Sequence, residues 1–372
     1  MRIGYDAKRL FHNDTGLGFY SRTLVQSLQS ADPLFKACLF DAYPVKSSLT
    51  LPFFDPQKYD VIPTGFPSWY YRSINPARYI RESRIQLLHG LSGELPYANL
   101  PAGLPKVVTI HDVLFKTFLT DFPWHDRWIY DLKTRMALGR ADQIIAISET
   151  TKQEIVKYYK IKEDQIRVIH QSYDPIFDEK VPVDTWKTLL AGHKLPGDYM
   201  LYVGSITPRK NLLIILKALL ATAQGDRIPL FVLGKGSFYQ KQVKQYINQY
   251  HLEKWVYFLP DLPRHEIRIL FEGAQLLIYP SLGEGFGLPV LEGIAANLPV
   301  ITSNLSALPE AGGKVARYFN PRDAEELKSL ILSSDKTQYN LNIQDKRSAH
   351  LEKFNRSRIT GLYLNEVYKN LI

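Results

Sequence analysis

The chain has one cysteine, Cys38, among 372 residues. A single thiol forms no intrachain disulfide and builds no cysteine-based zinc or iron–sulfur site, and such scarcity fits a reducing compartment. Long apolar runs are also missing. The longest, Leu212 to Ala223, is interrupted by Lys217 and falls well short of the roughly 20 residues that a membrane-spanning helix needs. The opening MRIGYDAKRL lacks the apolar core of a secretory leader, so none is expected. Short-period repeats and low-complexity tracts are absent from the sequence.

What is present is ordinary globular material. Hydrophobic residues make up 45% and charged residues 22%, which excludes disordered and fibrous classes. The length predicts two domains. The net charge of +9 is unevenly spread: residues 201–250 hold seven Lys/Arg against one Asp/Glu, whereas residues 101–200 hold 14 of each. A local basic excess suits a phosphate-bearing partner, and it is equally what a solvated face looks like.

Short runs rich in Val, Ile, Leu and Tyr recur along the chain, separated by helix-length segments. In the first half strands are predicted at Arg2–Tyr5, Lys36–Phe40, Tyr59–Ile62, Gln86–His89, Val107–His111, Gln143–Ile147 and Arg167–His170. The second half adds Met200–Val203, Leu230–Leu233, Trp255–Leu259, Leu276–Tyr279, Pro299–Thr302 and Ala316–Phe319. Runs of this kind read as strands buried on both faces, and alternation with helices implies βαβ units and parallel sheets. The two sets predict an N-terminal domain over 1–175 and a C-terminal domain over 199–355. The Pro-containing segment 176–198 reads as a linker. The terminal segment 356–372 has helical apolar spacing and either packs on its own domain or completes the first.

The most informative stretch runs from Pro280 through Gly283, Glu284, Gly285, Phe286, Gly287, Leu288 and Pro289 to Glu292, directly after a predicted strand. Three glycines in five residues let a backbone approach a ligand closely. Pro289 opens a helix whose first N–H groups suit an anion or a hydroxyl. Glu284 and Glu292 sit eight residues apart across this loop-to-helix junction, and a carboxylate accepts hydrogen bonds from two vicinal sugar hydroxyls. The bland alternatives are a helix-capping Glu284 and a surface Glu292.

This Glu-Gly-Phe-Gly-Leu-Pro-x-Leu-Glu stretch resembles the Glu-x7-Glu signature of the family-four retaining glycosyltransferases, which have the GT-B fold. Other segments resemble that family in the expected order: Thr15-Gly16-Leu17-Gly18, Val108 to Asp112 with His111, Ile144 to Ser148, Gly204 to Asn211 with Arg209 and Lys210, Leu308-Pro309-Glu310, and Tyr318 to Pro321. The resemblance implies an α/β protein of two Rossmann-like, doubly wound parallel-sheet domains facing a central cleft. It implies transfer of a hexose, with retention, from a nucleotide-diphosphate sugar to a hydroxyl of a glycan or lipid-linked acceptor, with mannose from GDP-mannose as the first expectation and UDP-hexoses close behind. Carried over by position, Glu284 would contact the donor sugar and Glu292 the donor ribose. Gly285, Phe286, Gly287 and Leu288 would bind sugar or diphosphate through their amides, and Arg209 and Lys210 would neutralise the leaving diphosphate. His111 would donate a hydrogen bond to a sugar hydroxyl; a histidine at a strand end is also a common structural feature, and Asp112 has the alternative of capping the next element. Gly16, Gly18, Ser205 and Lys235 complete the implied donor-binding set, although Gly-x-Gly and the Lys235 segment also read as simple turns.

Departures from the family pattern carry their own expectations. Ser205 stands where the family often has Arg, so one phosphate-binding charge is either missing or supplied by Arg209. Gly293 follows Glu292 where Ala is common, an expected influence on nucleotide fit. Asn297 replaces the usual Gly at a helix end. No Asp-x-Asp occurs in the sequence; such carboxylates commonly hold the metal that bridges a diphosphate, so neither metal nor cofactor is expected. Aromatic and basic residues from Pro67 to Arg84, together with Phe122, Trp124 and Trp128, suit either peripheral membrane contact through the N-terminal domain or an ordinary amphipathic helix and loop, in a protein expected in the cytoplasm or at the inner face of the membrane. Two alternatives remain: a GT-B-fold UDP-sugar epimerase, and a basic nucleic-acid-binding protein.

Overall fold

A computed structural model describes residues 1–65, 76–98, 100–179, 181–182, 185–192, 195–236 and 238–372, apart from the side chains of 340–342. The chain divides into two compact units: Met1–Ser172 with Asn355–Ile372, and Tyr173–Phe354.

Unit 1 is built on seven strands, β1 (Arg2–Asp6), β2 (Lys36–Asp41), β3 (Tyr59–Pro63), β4 (Leu87–Gly90), β5 (Lys106–Ile110), β6 (Gln143–Ala146) and β7 (Ile166–Val168). Their spatial order is 3-2-1-4-5-6-7, and every pairing is parallel. Strand residues alternate between two cores. Ala37, Leu39, Val107 and Ile145 join one cluster, while Cys38, Phe40, Val108, Ile144 and Ala146 join another. A period of two with apolar residues on both sides is what a sheet covered by helices on each face requires.

Unit 2 holds β8 (Met200–Val203), β9 (Leu230–Leu233), β10 (Val256–Leu259), β11 (Leu276–Tyr279), β12 (Val300–Ser303) and β13 (Arg317–Phe319). The order is 10-9-8-11-12-13, again all parallel. In each unit chain direction across the sheet reverses beside the first strand: between β1 and β4, and between β8 and β11. In open α/β sheets that switch point is where ligands bind, beyond the carboxyl ends of the strands.

Residues 176–198, expected as a linker, count with unit 2. The turn Pro175–Asp178 and the helix Thr185–Gly192 pack on the helix Arg264–Gly273, with Phe177 buried at 5.0 Å from the Phe271 ring.

The terminal segment belongs to unit 1. A helix over Arg356–Leu362, capped by Asn355, widens into a π-helical turn at Tyr363–Tyr368. That turn delivers two buried tyrosines to a polar network. The Tyr363 hydroxyl meets that of Tyr20 at 2.6 Å, and the Tyr368 hydroxyl meets Tyr5 at 3.1 Å and His89 Nδ1 at 2.7 Å. His89 Nε2 meets Thr109 at 2.8 Å. Burial, aided by repulsion from His111, pushes the His89 imidazole down to about 3. The unfolded chain, with an ordinary imidazole near 6.5, takes the proton first as the pH falls. His89 therefore stabilises the fold fully above pH ~6.5, and that contribution drains away toward pH ~3 at about 1.4 kcal/mol per pH unit. Denaturant melts between pH 7 and pH 4 are expected to show this slope, and a shallower one in His89→Gln; equal slopes would remove His89 from the account.

Candidate active site

The switch point of unit 2 gathers the carboxylate loop and the basic loop. The first follows β11; the second follows β8 and ends in the turn Pro208–Lys210. Glu284 Oε1 lies 3.0 Å from Arg209 Nη1 and 2.7 Å from Lys210 Nζ, with all three side chains at most 14% exposed. Lys210 Nζ also donates to the Tyr279 hydroxyl and lies 4.8 Å from the centroid of that ring. Burial alone would raise the Glu284 carboxyl. The two cations, with hydrogen bonds from Lys210 and Ser281, outweigh it and hold Glu284 below the usual carboxylate range. The cluster is thus a buried carboxylate with two cations, one positive charge in excess.

Backbone contacts bolt the two loops together. The Leu282 amide donates to the Arg209 carbonyl at 2.8 Å. Asn211, in the left-handed region at φ 57°, sends its side-chain amide to the Pro280 and Pro321 carbonyls at 3.2 and 2.8 Å. Ser306 clasps Glu284 by its main chain, accepting from its amide at 3.1 Å and donating to its carbonyl at 2.8 Å.

Gly287 starts the helix Leu288–Ala295 at φ 123°, where a Cβ would come within 2.9 Å of Leu308 Cδ2. Gly285 and Leu288 are half-buried beside it. Phe286 is buried and packs its ring 5.5 Å from Phe354. Glu292 lies one turn into the helix and is only 4% exposed. Arg264 Nη2 grips it at 2.6 Å and reaches Asp174 at 3.0 Å. Burial raises the Glu292 carboxyl, Arg264 pulls it back, and Asp174 adds to the rise. Neither Arg264 nor Asp174 is evident in the sequence as a site residue. Asp174 stands at the edge of a Pro-rich segment, and Arg264 follows Pro263 in a helix start with no motif around it.

Two departures from the family pattern acquire physical reasons. Gly293 does not face a ligand: a Cβ there would meet Leu277 Cδ2 at 2.8 Å and Val300 Cγ2 at 2.9 Å, so the glycine lets the helix sit on β11 and β12. The expectation that it alters nucleotide fit is corrected accordingly. Gly293→Ala is expected to cost about 1–3 kcal/mol of stability by overpacking, read from denaturant midpoints, with nucleotide affinity unchanged. Asn297 adopts φ 59° and closes the helix with paired bonds, Leu298 N to Gly293 O at 2.9 Å and Asn297 N to Ile294 O at 3.1 Å, the arrangement that favours Gly or Asn at this position.

Ser205 is exposed at the end of β8, and its carbonyl accepts from the Tyr202 hydroxyl at 3.0 Å. Lys235 is also exposed and pairs with Asp261 beyond β10.

In unit 1, His111 follows β5 and helps line a cavity of about 230 Å³ with Arg9, Glu94, Phe122, Tyr130 and Lys133. Its Nε2 donates to the Leu91 carbonyl at 2.8 Å, and its Nδ1 faces the Gln171 side-chain amide at 2.7 Å. A carbonyl only accepts, so Nε2 carries the hydrogen and Nδ1 accepts from Gln171. Burial pushes this imidazole down to about 4. Both ring nitrogens are engaged, so the expected donation from the ring to a sugar hydroxyl is not available in this arrangement. Asp112 Oδ1 accepts from the Leu114 amide at 3.1 Å, as a cap would. Gly16 is exposed and opens the helix Gly16–Ala31. Gly18 is buried, and its amide is already bound to Asn13 Oδ1 at 3.0 Å. The helix start is tied down by Asn13 and does not present that amide to a ligand.

Of the aromatic and basic stretch, residues 67–75 lie outside the described residues. Arg78, Arg81 and Arg84 are exposed, as are Trp124 and Trp128 at 75% and 66%. Among the described residues no helix is long and apolar enough to cross a membrane.

Two parallel doubly wound sheets, one with a basic, carboxylate-bearing switch point, define a GT-B glycosyltransferase fold. A sucrose-phosphate synthase from Thermosynechococcus elongatus shares that fold, with a TM-score of 0.76 at 19% identity across 100% of this chain and 99% of its own. Two family models match the sequence: Glycosyl transferases group 1 over residues 191–341, and Glycosyltransferase Family 4 over residues 49–176. The O-antigen chain mannosyltransferase B of Escherichia coli is 29% identical over 271 residues, covering 71% of this chain and 70% of that protein. The O-antigen chain mannosyltransferase RfbU of Salmonella typhimurium is 27% identical over 233 residues, covering 63% and 62% respectively. The chain belongs to the group 1, family 4 glycosyltransferases. None of these findings supports the epimerase or nucleic-acid readings.

Proposed function

We propose that the protein is a retaining mannosyltransferase that moves mannose from GDP-mannose to a hydroxyl of a glycan or lipid-linked acceptor in polysaccharide or glycoconjugate synthesis. The observation that carries the reading is the buried pair of cations, Arg209 and Lys210, on Glu284 at the switch point of unit 2. The similarity to two O-antigen mannosyltransferases supports the choice of sugar.

In this reading the diphosphate lies against Arg209, Lys210 and the amino end of the helix Leu288–Ala295, where positive charge meets the negative charge that develops as the donor C1–O bond breaks. Glu292, steadied by Arg264, holds the ribose hydroxyls. Glu284, kept anionic, faces the donor sugar. The acceptor oxygen bonds to C1 on the face the diphosphate leaves, and the departing phosphate oxygen takes the acceptor proton, so mannoside and GDP are the products. The basic side chains take the electrostatic part that a metal plays elsewhere, and no cofactor is required. His111 remains neutral and shapes the unit 1 cavity through its bonds to Leu91 and Gln171, a positioning role. Exposed Trp124 and Trp128, with Arg78, Arg81 and Arg84, suit an anionic membrane surface at the cytoplasmic face.

A thermal-shift panel of GDP, UDP, ADP and their sugar conjugates, with and without EDTA, tests the proposal. Selective stabilisation by GDP and GDP-mannose is expected, unchanged by EDTA and lost in Glu292→Ala. Selectivity for UDP, or loss of the shift on chelation, would contradict it.

A further inference from the structure

A cavity of about 370 Å³ lies at the carboxyl end of the helix Leu288–Ala295, opposite the end that starts at the switch point. Its volume is within the range of small-molecule sites. All of its lining residues belong to unit 2, and the proposed reaction uses none of them.

Two arginines on its wall keep buried donors unused. Arg268 is 6% exposed. Its Nη1 donates to Glu272 at 2.8 Å and its Nη2 to the Glu179 carbonyl at 3.1 Å, while its Nε has no partner among the described residues. Arg347 is half-buried. Its Nη1 reaches the Ile294 and Ala295 carbonyls at 3.5 and 3.3 Å, and its buried Nε is likewise unpartnered there. A buried donor without an acceptor is unfavourable, so folding alone gives no reason to keep two on one cavity. Asn297, also half-buried, lines the same cavity. Glycine would close the helix at φ 59° equally well and would bring no side-chain amide.

We infer that this cavity is a carbohydrate site that holds a neutral sugar of a glycan chain, apart from the residues that handle the donor. Among the described residues its charged lining is Arg268 and Arg347 against Asp178, Glu179 and Glu272, one negative charge in excess. A phosphate or carboxylate ligand meets three carboxylates there, and a cation meets two guanidinium groups. A neutral ligand is repelled by neither set. A sugar hydroxyl both donates and accepts. It accepts from a guanidinium N–H or the Asn297 amide and donates to a carboxylate. Asp178 spends one oxygen on the Tyr173 hydroxyl at 2.8 Å, and Glu272 spends one on Arg268, which leaves each a second oxygen for a sugar. In a transferase that extends a glycan, such a site holds sugars already in place. The inference rests on the sugar-transfer class of the chain and not on the choice of donor.

Hydrogen–deuterium exchange of the full chain with an α-linked mannotriose, alongside calorimetric titration, tests this. Saturable protection of residues 177–181 and 347–351 is expected. Asn297→Gly is expected to weaken mannotriose binding roughly fivefold, the share of one hydrogen bond, and Arg347→Met roughly tenfold, the share of a charged one. The ligand-free unfolding temperature of Asn297→Gly stays at the wild-type value, because glycine suits φ 59°, which excludes misfolding as the cause. Titration with GDP-mannose in the same samples reads the switch point separately and is expected to be unchanged in both variants. Protection confined to the cavity beside His111 overturns the site, and so does mannotriose binding that neither variant weakens. Inorganic phosphate protecting the two segments where mannotriose does not overturns the carbohydrate assignment. A chain that binds mannotriose as expected but not GDP-mannose overturns the donor reading alone.

Discussion

Replacing Lys210 with alanine is expected to lower the rate of sugar transfer by roughly 10²–10³-fold, the usual loss when one preorganised group facing developing charge is removed. Lys210 is 9% exposed and is placed three ways: by Glu284 at 2.7 Å, by the Tyr279 hydroxyl, and by the face of that ring. Such a cation needs no reorganisation when the diphosphate leaves. The same substitution removes one of the two charges that hold Glu284 ionised, so the Glu284 carboxyl rises and the fold weakens. Two effects with one cause are separable with Lys210→Ala/Glu284→Gln. Neutralising the carboxylate relieves the uncompensated burial and recovers stability, but it restores no charge for the leaving group, so the rate stays low. Steady-state rates and denaturant melts on the two variants check this. Recovery of rate together with stability would make Lys210 a structural partner of Glu284 and nothing more.

Gly18→Ala carries the largest structural effect expected in unit 1. A Cβ at Gly18 would lie 1.7 Å from the Asn13 carbonyl oxygen and 2.9 Å from Arg22 Nη1. Backbone must move, because the obstacle is a carbonyl and not the end of a flexible side chain. Two interactions stand in the way: the Gly18 amide to Asn13 Oδ1 at 3.0 Å, and buried Arg22 to the Asn13 carbonyl at 2.8 Å. Overpacking together with a weakened bond from a buried guanidinium is expected to cost about 3 kcal/mol. Gly16→Ala is the control. Gly16 is exposed at the first position of the same helix, where alanine is tolerated or mildly favourable. Equal midpoints for the two variants would contradict the close approach at Asn13.

The framework was largely legible in the sequence, for a physical reason. Strands such as Leu230–Leu233 and Leu276–Tyr279 are buried along their whole length, and a continuous apolar run of four or five residues between helix-length segments has few other readings. Strand ends are less legible: the sequence carries the strand through His111, yet β5 stops at Ile110. Local signals also exposed the carboxylate loop and the Pro208–Lys210 turn, since glycine and proline mark backbone conformation directly. What stayed hidden acts through tertiary contact. Arg264 and Asp174 are 90 residues apart in sequence and pair directly beside Glu292, which Arg264 also grips. The Leu91 carbonyl determines which nitrogen of His111 carries the hydrogen, and Gln171 donates to the other from 60 residues away. Gly293 carries a packing constraint that shows only when β11 and β12 lie beneath it. The terminal segment shows helical spacing in sequence, but the π-helical turn that aims Tyr363 and Tyr368 inward has no periodic signature.

The most direct test of the central claim needs no acceptor. With GDP-mannose as the only sugar and water as the slow acceptor, time-resolved proton NMR reads the anomer of the mannose first released. The sugar is α-linked in this donor, so same-face displacement steered by Arg209 and Lys210 predicts α-mannose first, with GDP formed in step and the rate unaffected by EDTA. First appearance of β-mannose, or inert GDP-mannose alongside consumption of a UDP-sugar, would contradict the account.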